Sequence, residues 1–344
     1  MDKQIDFGMF DWIDRGTGTI SSLYQSRLAL IERADKAGFY GYHLAEHHAT
    51  PLGMAPSPAV FFASLIERTS QIRFSPMAYL MPLYHPLRLV EEVCMLDHLS
   101  GGRMEVGVSR GVSPYEAQSF GADPEQAQEI FEESLEIYCQ AMTAPLVNHH
   151  GKHYQFKDVP MEIKPLQQPY PALWYPSFSE SGASFAAQNG CHFMSLGPPS
   201  LVAKLMDHYR EIAAAQGTED KRLNGHIKVP MLAGMRQIYV ANTDEEAMAI
   251  AKPAYQDWYQ SITKLWHHHN DTSFDAFFEW DACLAGETIL VGSVDKVRNQ
   301  IAELIEVSGI NYFVGSFAWG SLSHEDSMQS LELFISEIIP SLTH

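Results

Sequence analysis

The sequence predicts an α/β fold, a closed (β/α)8 TIM barrel with insertions, and three observations predict it. Strand-like and helix-like segments alternate along the 344 residues. No cluster of antiparallel strands interrupts the order, which implies a parallel sheet. The GxGxxG that opens a doubly wound nucleotide-binding sheet is absent after the first strand. About eight strand–helix units favour closure, and a barrel accommodates well over about 250 residues as one unit, so a single domain over 1–344 is expected.

The elements follow in order. Residues 5–10 read as a strand, and 23–36 as a helix closed by Gly38. Segment 40–44 is the second strand, backed by a helix at 59–67. Residues 72–81 form one long third strand, followed by a helix at 87–96. A fourth strand spans 104–108. Asp123 and Pro124 suit the start of the next helix, in which Phe131, Leu135, Tyr138 and Met142 recur at spacings of four, three and four. Residues 149–165 look like a hairpin excursion from the barrel. Strands at 172–176 and 193–196 carry helices at 183–188 and 201–214. A strand near 235–240 leads into a helix from Asp244, broken by the polar run 267–272. A second insertion without clear periodicity fills 267–288. Residues 294–307 make a helix with Val297, Ile301 and Leu304 on one face, ended by Gly309. The strand 312–317 and the helix 328–339 close the chain.

Composition bounds the partners. The chain has 23 basic and 42 acidic side chains, a formal charge of −19, and 46% hydrophobic residues. Such a charge repels phosphate backbones and argues against nucleic acid. Cys94, Cys139, Cys191 and Cys283 form no CxxC pair, which suits a reduced compartment. Met1–Phe10 lacks the layout of a signal peptide, and no apolar run is long enough for a bilayer. A soluble cytoplasmic protein is expected.

Catalysis in a barrel belongs at the C-terminal ends of the strands, and four unusual segments fall there. Glu46-His47-His48 follows the second strand, where alternation turns only one of the two imidazoles to the mouth; the other reading is a histidine packed on the next helix. Residues 75–86, SPMAYLMPLYHP, taken alone read as a buried strand before a proline-led helix. Gly107 and Gly111 flank Ser109-Arg110 at the end of the fourth strand, a place for close backbone approach and for an anion, or a plain surface arginine beside a loop glycine. Ser177, Ser179, Ser181 and Gly182 surround a helix start, which can bind an anion or be a simple cap. The histidines at 149, 150 and 153 and at 267–269 lack the spacing of a metal site, and no metal is expected.

Together AEHH, LMPLYHPLRLVEEVCMLDHLSGGRMEVGVSRG and the later Phe120-Gly121 resemble the bacterial luciferase-like flavin-dependent monooxygenases, most closely the branch of alkanal and limonene monooxygenases. The resemblance implies a barrel that dimerises as a homodimer. It implies reduced FMN (FMNH2) delivered by a separate flavin reductase, O2 as co-substrate, a C4a-hydroperoxyflavin, and a small apolar substrate. It implies His47 as the catalytic residue, with Glu46 supporting it, and a non-prolyl cis peptide at Met77-Ala78 beneath the isoalloxazine. Flavin contacts would come from Glu46, Met77, Ala78, Ser109, Arg110, Gly111, Val112, Phe178, Ser179 and Gly182, with Ser177 or Ser181 as substitutes for Ser179. Phe10, Tyr79 and Trp319 would line the substrate pocket, and aromatic residues at 274–280 would form a lid or a dimer contact. Related barrels use the deazaflavin F420, and others bind flavin without turnover; both remain alternatives.

Overall fold

The computed structural model describes residues 5–216 and 222–343; the first four residues of the N-terminal segment read above lie outside them. The strands are β1 (Asp6–Asp11), β2 (Gly41–Leu44), β3 (Arg73–Pro76), β4 (Tyr79–Leu80), β5 (Val106–Ser109), β6 (Leu146–His150), β7 (Gln155–Pro160), β8 (Leu173–Pro176), β9 (His192–Ser195), β10 (Leu232–Ala241), β11 (Ile289–Ser293) and β12 (Tyr312–Ser316). The helices are α1 (Ile20–Lys36), α2 (Pro58–Ile66), α3 (Pro86–Leu99), α4 (Pro114–Ser119), α5 (Ala127–Thr143), α6 (Glu180–Asn189), α7 (Pro199–Ala215), α8 (Asp244–His268), α9 (Trp280–Ala285), α10 (Val294–Ser308), α11 (His324–Leu333) and α12 (Ile339–Leu342).

All pairs in the large sheet are parallel, in the order β3-β2-β1-β12-β10-β9-β8-β5-β4. Its two ends, β3 and β4, are consecutive pieces of one chain segment, and Phe74 bridges Met104 ahead of β5. The sheet therefore closes on itself into the expected barrel. The hairpin β6–β7 stands outside it as an antiparallel pair.

Local chemistry explains the elements. Thr19 and Ser22 form a reciprocal capping box at the start of α1. Gly309 ends α10 in the left-handed region, at φ 60°, which costs glycine no Cβ clash. The buried faces of α5 and α10 carry Phe131, Leu135, Tyr138 and Met142, and Val297, Ile301 and Leu304, as their spacing predicts. Each such side chain contributes about 1.5–3 kcal/mol when removed from water.

Three expectations are corrected. The third strand is broken at the cis peptide Met77-Ala78, and Pro76, which has no N–H for a ladder, ends its first half. Asp123 caps a turn through Glu125 N at 3.0 Å, while α5 begins at Ala127. The strand β11 was not anticipated; it pairs with the far half of β10, beyond the point where β9 stops.

Candidate active site

Alternation along β2 sets the first part of the site. His43 points into the barrel, bonded to Ser75 Oγ and Tyr312 OH, each at 2.8 Å. Two residues on, Ala45 belongs to the apolar lining. Two further, His47 stands at the C-terminal end, its side chain 19% exposed, with Nδ1 3.1 Å from Glu116 Oε1. His48 turns aside: its Nε2 lies 2.8 Å from Glu46 Oε1, and its ring packs on Phe120. Glu46 is buried, and its other oxygen accepts from Tyr84 OH at 2.8 Å and Leu80 N at 3.4 Å. Burial raises its carboxyl above the ordinary range despite these bonds. Glu46 thus ties the loop to β4, and both its oxygens are engaged inside the protein.

The second part comes from neighbouring strands. A Cβ on Gly107 would collide with Pro76 O and touch Ala78, so only glycine lets β5 lie against the Met77-Ala78 step. Ser109 Oγ accepts from Gly111 N at 3.0 Å, and Gly111 has φ +89°. Arg110 is exposed and makes no ion pair or hydrogen bond among the described residues; its charge is felt at Tyr175, whose phenol burial nonetheless raises. Val112 follows as an exposed apolar residue.

The strand β8 pairs with β5, so the loop after it emerges beside Arg110. There Ser179 Oγ caps α6 through Gly182 N at 3.2 Å, and the hydroxyls of Ser177, Ser179 and Ser181 hydrogen-bond in a row at 3.1 Å each. A Cβ on Gly182 would strike Ser177 Oγ, and Phe178 is exposed beside it. His47, Met77-Ala78, Arg110 and Ser179 therefore leave β2, β3/β4, β5 and β8, which are consecutive staves, and occupy one arc of the C-terminal rim.

Apolar side chains fill the interior behind that arc. Phe10, Trp12, Met77, Met194, Met235, Val314 and Trp319 share one buried cluster. Phe10 meets Trp12 at 4.8 Å between ring centroids, Trp12 meets Trp258 at 5.2 Å, and Trp319 meets Tyr255. Tyr79 is not among them. It lies in the separate cluster between barrel and helices, 5.3 Å from Tyr84, so the structure does not bring it to Phe10 and Trp319. The segment 274–280 is divided: Trp280 packs on Tyr255 and Phe278 on Trp258, while Phe277 is exposed.

Sequence reasoning missed Glu116. The pattern Ser113-Pro-Tyr-Glu116 reads as a capping box, and Ser113 does cap α4 through Glu116 N at 3.3 Å. The Glu116 side chain, however, turns to His47 and His48. The opposite end of the barrel holds a cavity of about 640 Å³ lined by Asp6, Tyr40, Arg73, Glu105, His192 and Asn311 among others. Among the described residues, no group of three or more His, Cys, Asp or Glu could hold a metal ion, and no helix is long and apolar enough to cross a membrane.

The chain is similar to known proteins over nearly its whole length. The chain is 35% identical to the uncharacterized protein y4wF of Sinorhizobium fredii over 98% of its own length and 97% of the relative's. It is 29% identical to the oxygenase component of a flavin-dependent trigonelline monooxygenase of Acinetobacter baylyi, over 98% and 95%. The fold matches the crystal structure of monooxygenase RslO1 from Streptomyces bottropensis with a TM-score of 0.85 at 24% identity, covering 98% and 99% of the two chains. Residues 5–311 match the family described as luciferase-like monooxygenase, and the chain belongs to that family.

Proposed function

We propose that this chain is the oxygenase of a two-component monooxygenase: it takes up reduced FMN from a separate reductase and uses O2 to oxygenate a small apolar organic molecule. One observation carries the reading. An unpaired guanidinium, a serine-lined helix start and a partly exposed imidazole stand on one arc of the rim, in front of an aromatic interior. In a chain of net charge −19, an exposed cation beside a serine-capped helix start is a fitting anchor for one phosphate. Gly107 lets β5 lie directly against the Met77-Ala78 step, and Ser109, Gly111 and Val112 follow at the end of the same strand, beside the position this reading gives the ring.

In this reading Arg110, Ser179 and Gly182 hold the phosphate end, with Phe178 beside it, and Met77-Ala78 supports the ring. The bound reduced flavin supplies the electrons that activate O2; one oxygen atom enters the substrate and the other leaves as water. His47 holds or delivers a proton at Nε2, which has no partner among the described residues. Glu46 keeps the His47 loop on β4. Phe10, Met77, Trp12 and Trp319 exclude water, which protects a reactive oxygen species from wasteful decay. Val60, Met95 and Leu99 are exposed apolar residues on the adjoining helices α2 and α3, and we assign them to a homodimer contact; a monomeric mass in light scattering would reject it.

The reading is tested by anaerobic titration with FMN, reduced FMN and F420, followed by mixing with 18O2 and a panel of apolar compounds. Preference for reduced FMN and 18O in a product support it. Selectivity for F420 makes the chain a deazaflavin oxidoreductase, and flavin binding without oxygen chemistry makes it a flavin carrier.

A further inference from the structure

His47 is held by a partner 69 positions away. Glu116 sits in the first turn of α4, only 2% exposed. Its Oε1 accepts from His47 Nδ1 at 3.1 Å and from the backbone N–H of His48 at 2.9 Å. Its Oε2 is buried and has no partner. Burial pushes this carboxyl up, but the charge of His47 and the hydrogen bonds from His47 and His48 outweigh it and hold the group below the usual carboxylate range. Glu116 is therefore ionised at neutral pH and can only accept. An acceptor that already takes the His48 N–H requires a proton on Nδ1 of the facing imidazole.

The neighbouring titratable groups are occupied elsewhere. His48 is bound to Glu46, and Tyr115, beside Glu116 on α4, donates to Asp271 Oδ2 at 2.8 Å. Glu116 is thus the one carboxylate hydrogen-bonded to His47 among the described residues.

We propose that Glu116 is the positioning residue of His47: its carboxylate holds a proton on Nδ1, sets the plane of the ring, and leaves Nε2 as the atom at which the site takes up or gives a proton. This rests on the reading of His47 as the proton-handling group. The logic is that of an acid orienting a histidine, in which the acid is never itself protonated.

The test begins on the cofactor-free protein. Long-range 1H–15N spectra of histidine-labelled protein, with His47 identified by the signal lost in His47→Gln, report which ring nitrogen carries the proton. The expected result is Nδ1–H in wild type and loss of that preference in Glu116→Gln, whose carboxamide can donate as well as accept. An Nε2–H tautomer in the wild type overturns the proposal without any variant. With reduced flavin and an oxygenated substrate, Glu116→Gln is expected to lower kcat at least about tenfold with KM within about threefold, and to have no further effect in a His47→Gln background. A Glu116→Gln enzyme with the wild-type tautomer and a kcat within about twofold reduces Glu116 to a loop tie. A His47→Gln enzyme at full rate sinks the reading of His47 itself, whatever the spectra show.

Discussion

The two ends of the barrel differ in how far their polar groups are already engaged. The N-terminal end has a cavity of about 640 Å³, and its central acid is saturated. Glu105 accepts from Tyr40 OH and Arg73 Nε at 2.5 Å and from Trp174 Nε1 at 2.6 Å. Gln167 and Asn311 on its wall are likewise hydrogen-bonded to neighbouring backbone and side chains. The C-terminal end keeps open valences: His47 Nε2, the Arg110 guanidinium and the amides at the start of α6. Bound ligands and reacting atoms need groups that are not already spent on one another, which is why the proposed chemistry is placed at the second end. This matches the division of labour in barrels, stability below and catalysis above.

The contrast can be broken by substitution. His47→Ala is expected to lower product formation about 100- to 10,000-fold, the usual worth of a positioned acid–base group, with FMN affinity within about threefold as read by fluorescence titration. Glu105→Ala should do the reverse. Removing one partner of a buried ion pair costs about 3–5 kcal/mol of stability in urea unfolding, while turnover per folded molecule stays within about twofold. If Glu105→Ala abolishes turnover in folded protein, the lower end is not merely a foundation.

His43 lies between the two ends and sharpens the comparison through pH. Burial lowers its imidazole to about 4, with the nearby Glu105 charge opposing. Below the unfolded value of about 6.5 the unfolded chain takes up a proton that the folded one refuses. Stability is therefore lost as pH falls from about 6.5 to 4, by about 3 kcal/mol. Asp14, raised to about 7 chiefly by burial, has the opposite sign, since the folded state holds its proton above the unfolded value. The wild-type minus His43→Gln difference isolates the histidine; a flat difference between pH 4 and 6.5 contradicts it. The smallest effect is at the rim. Arg110→Gln should weaken FMN about 10- to 100-fold, one charge-assisted contact, and leave riboflavin, which lacks the phosphate, unchanged.

Much of this was legible in residue order, for local reasons. The alternation His43, Ala45, His47 follows from the period of a strand; it turns only one of the two imidazoles to the mouth, and the resemblance alone names His47. The helix faces of α5 and α10 follow from the 3.6 period. What stayed hidden depends on partners far apart in the chain. The five residues of β11 are a short apolar run continuous with α10, which periodicity cannot tell from a helix start. The resemblance places Tyr79 in the pocket, but its side chain packs in the other core, away from Met77. Glu116 stayed unread because the imidazole its side chain meets is 69 residues away.

The short helix α4 has a consequence for how such a site can change. Tyr115 leans on the second insertion, stacked at 4.0 Å on His269 and bonded to Asp271, and the very next side chain grips the imidazole. A descendant that reshapes residues 267–278 would pull on one residue of that turn and disturb the other. The shape of the insertion and the setting of the His47 ring are inherited together, unless Tyr115 is first released.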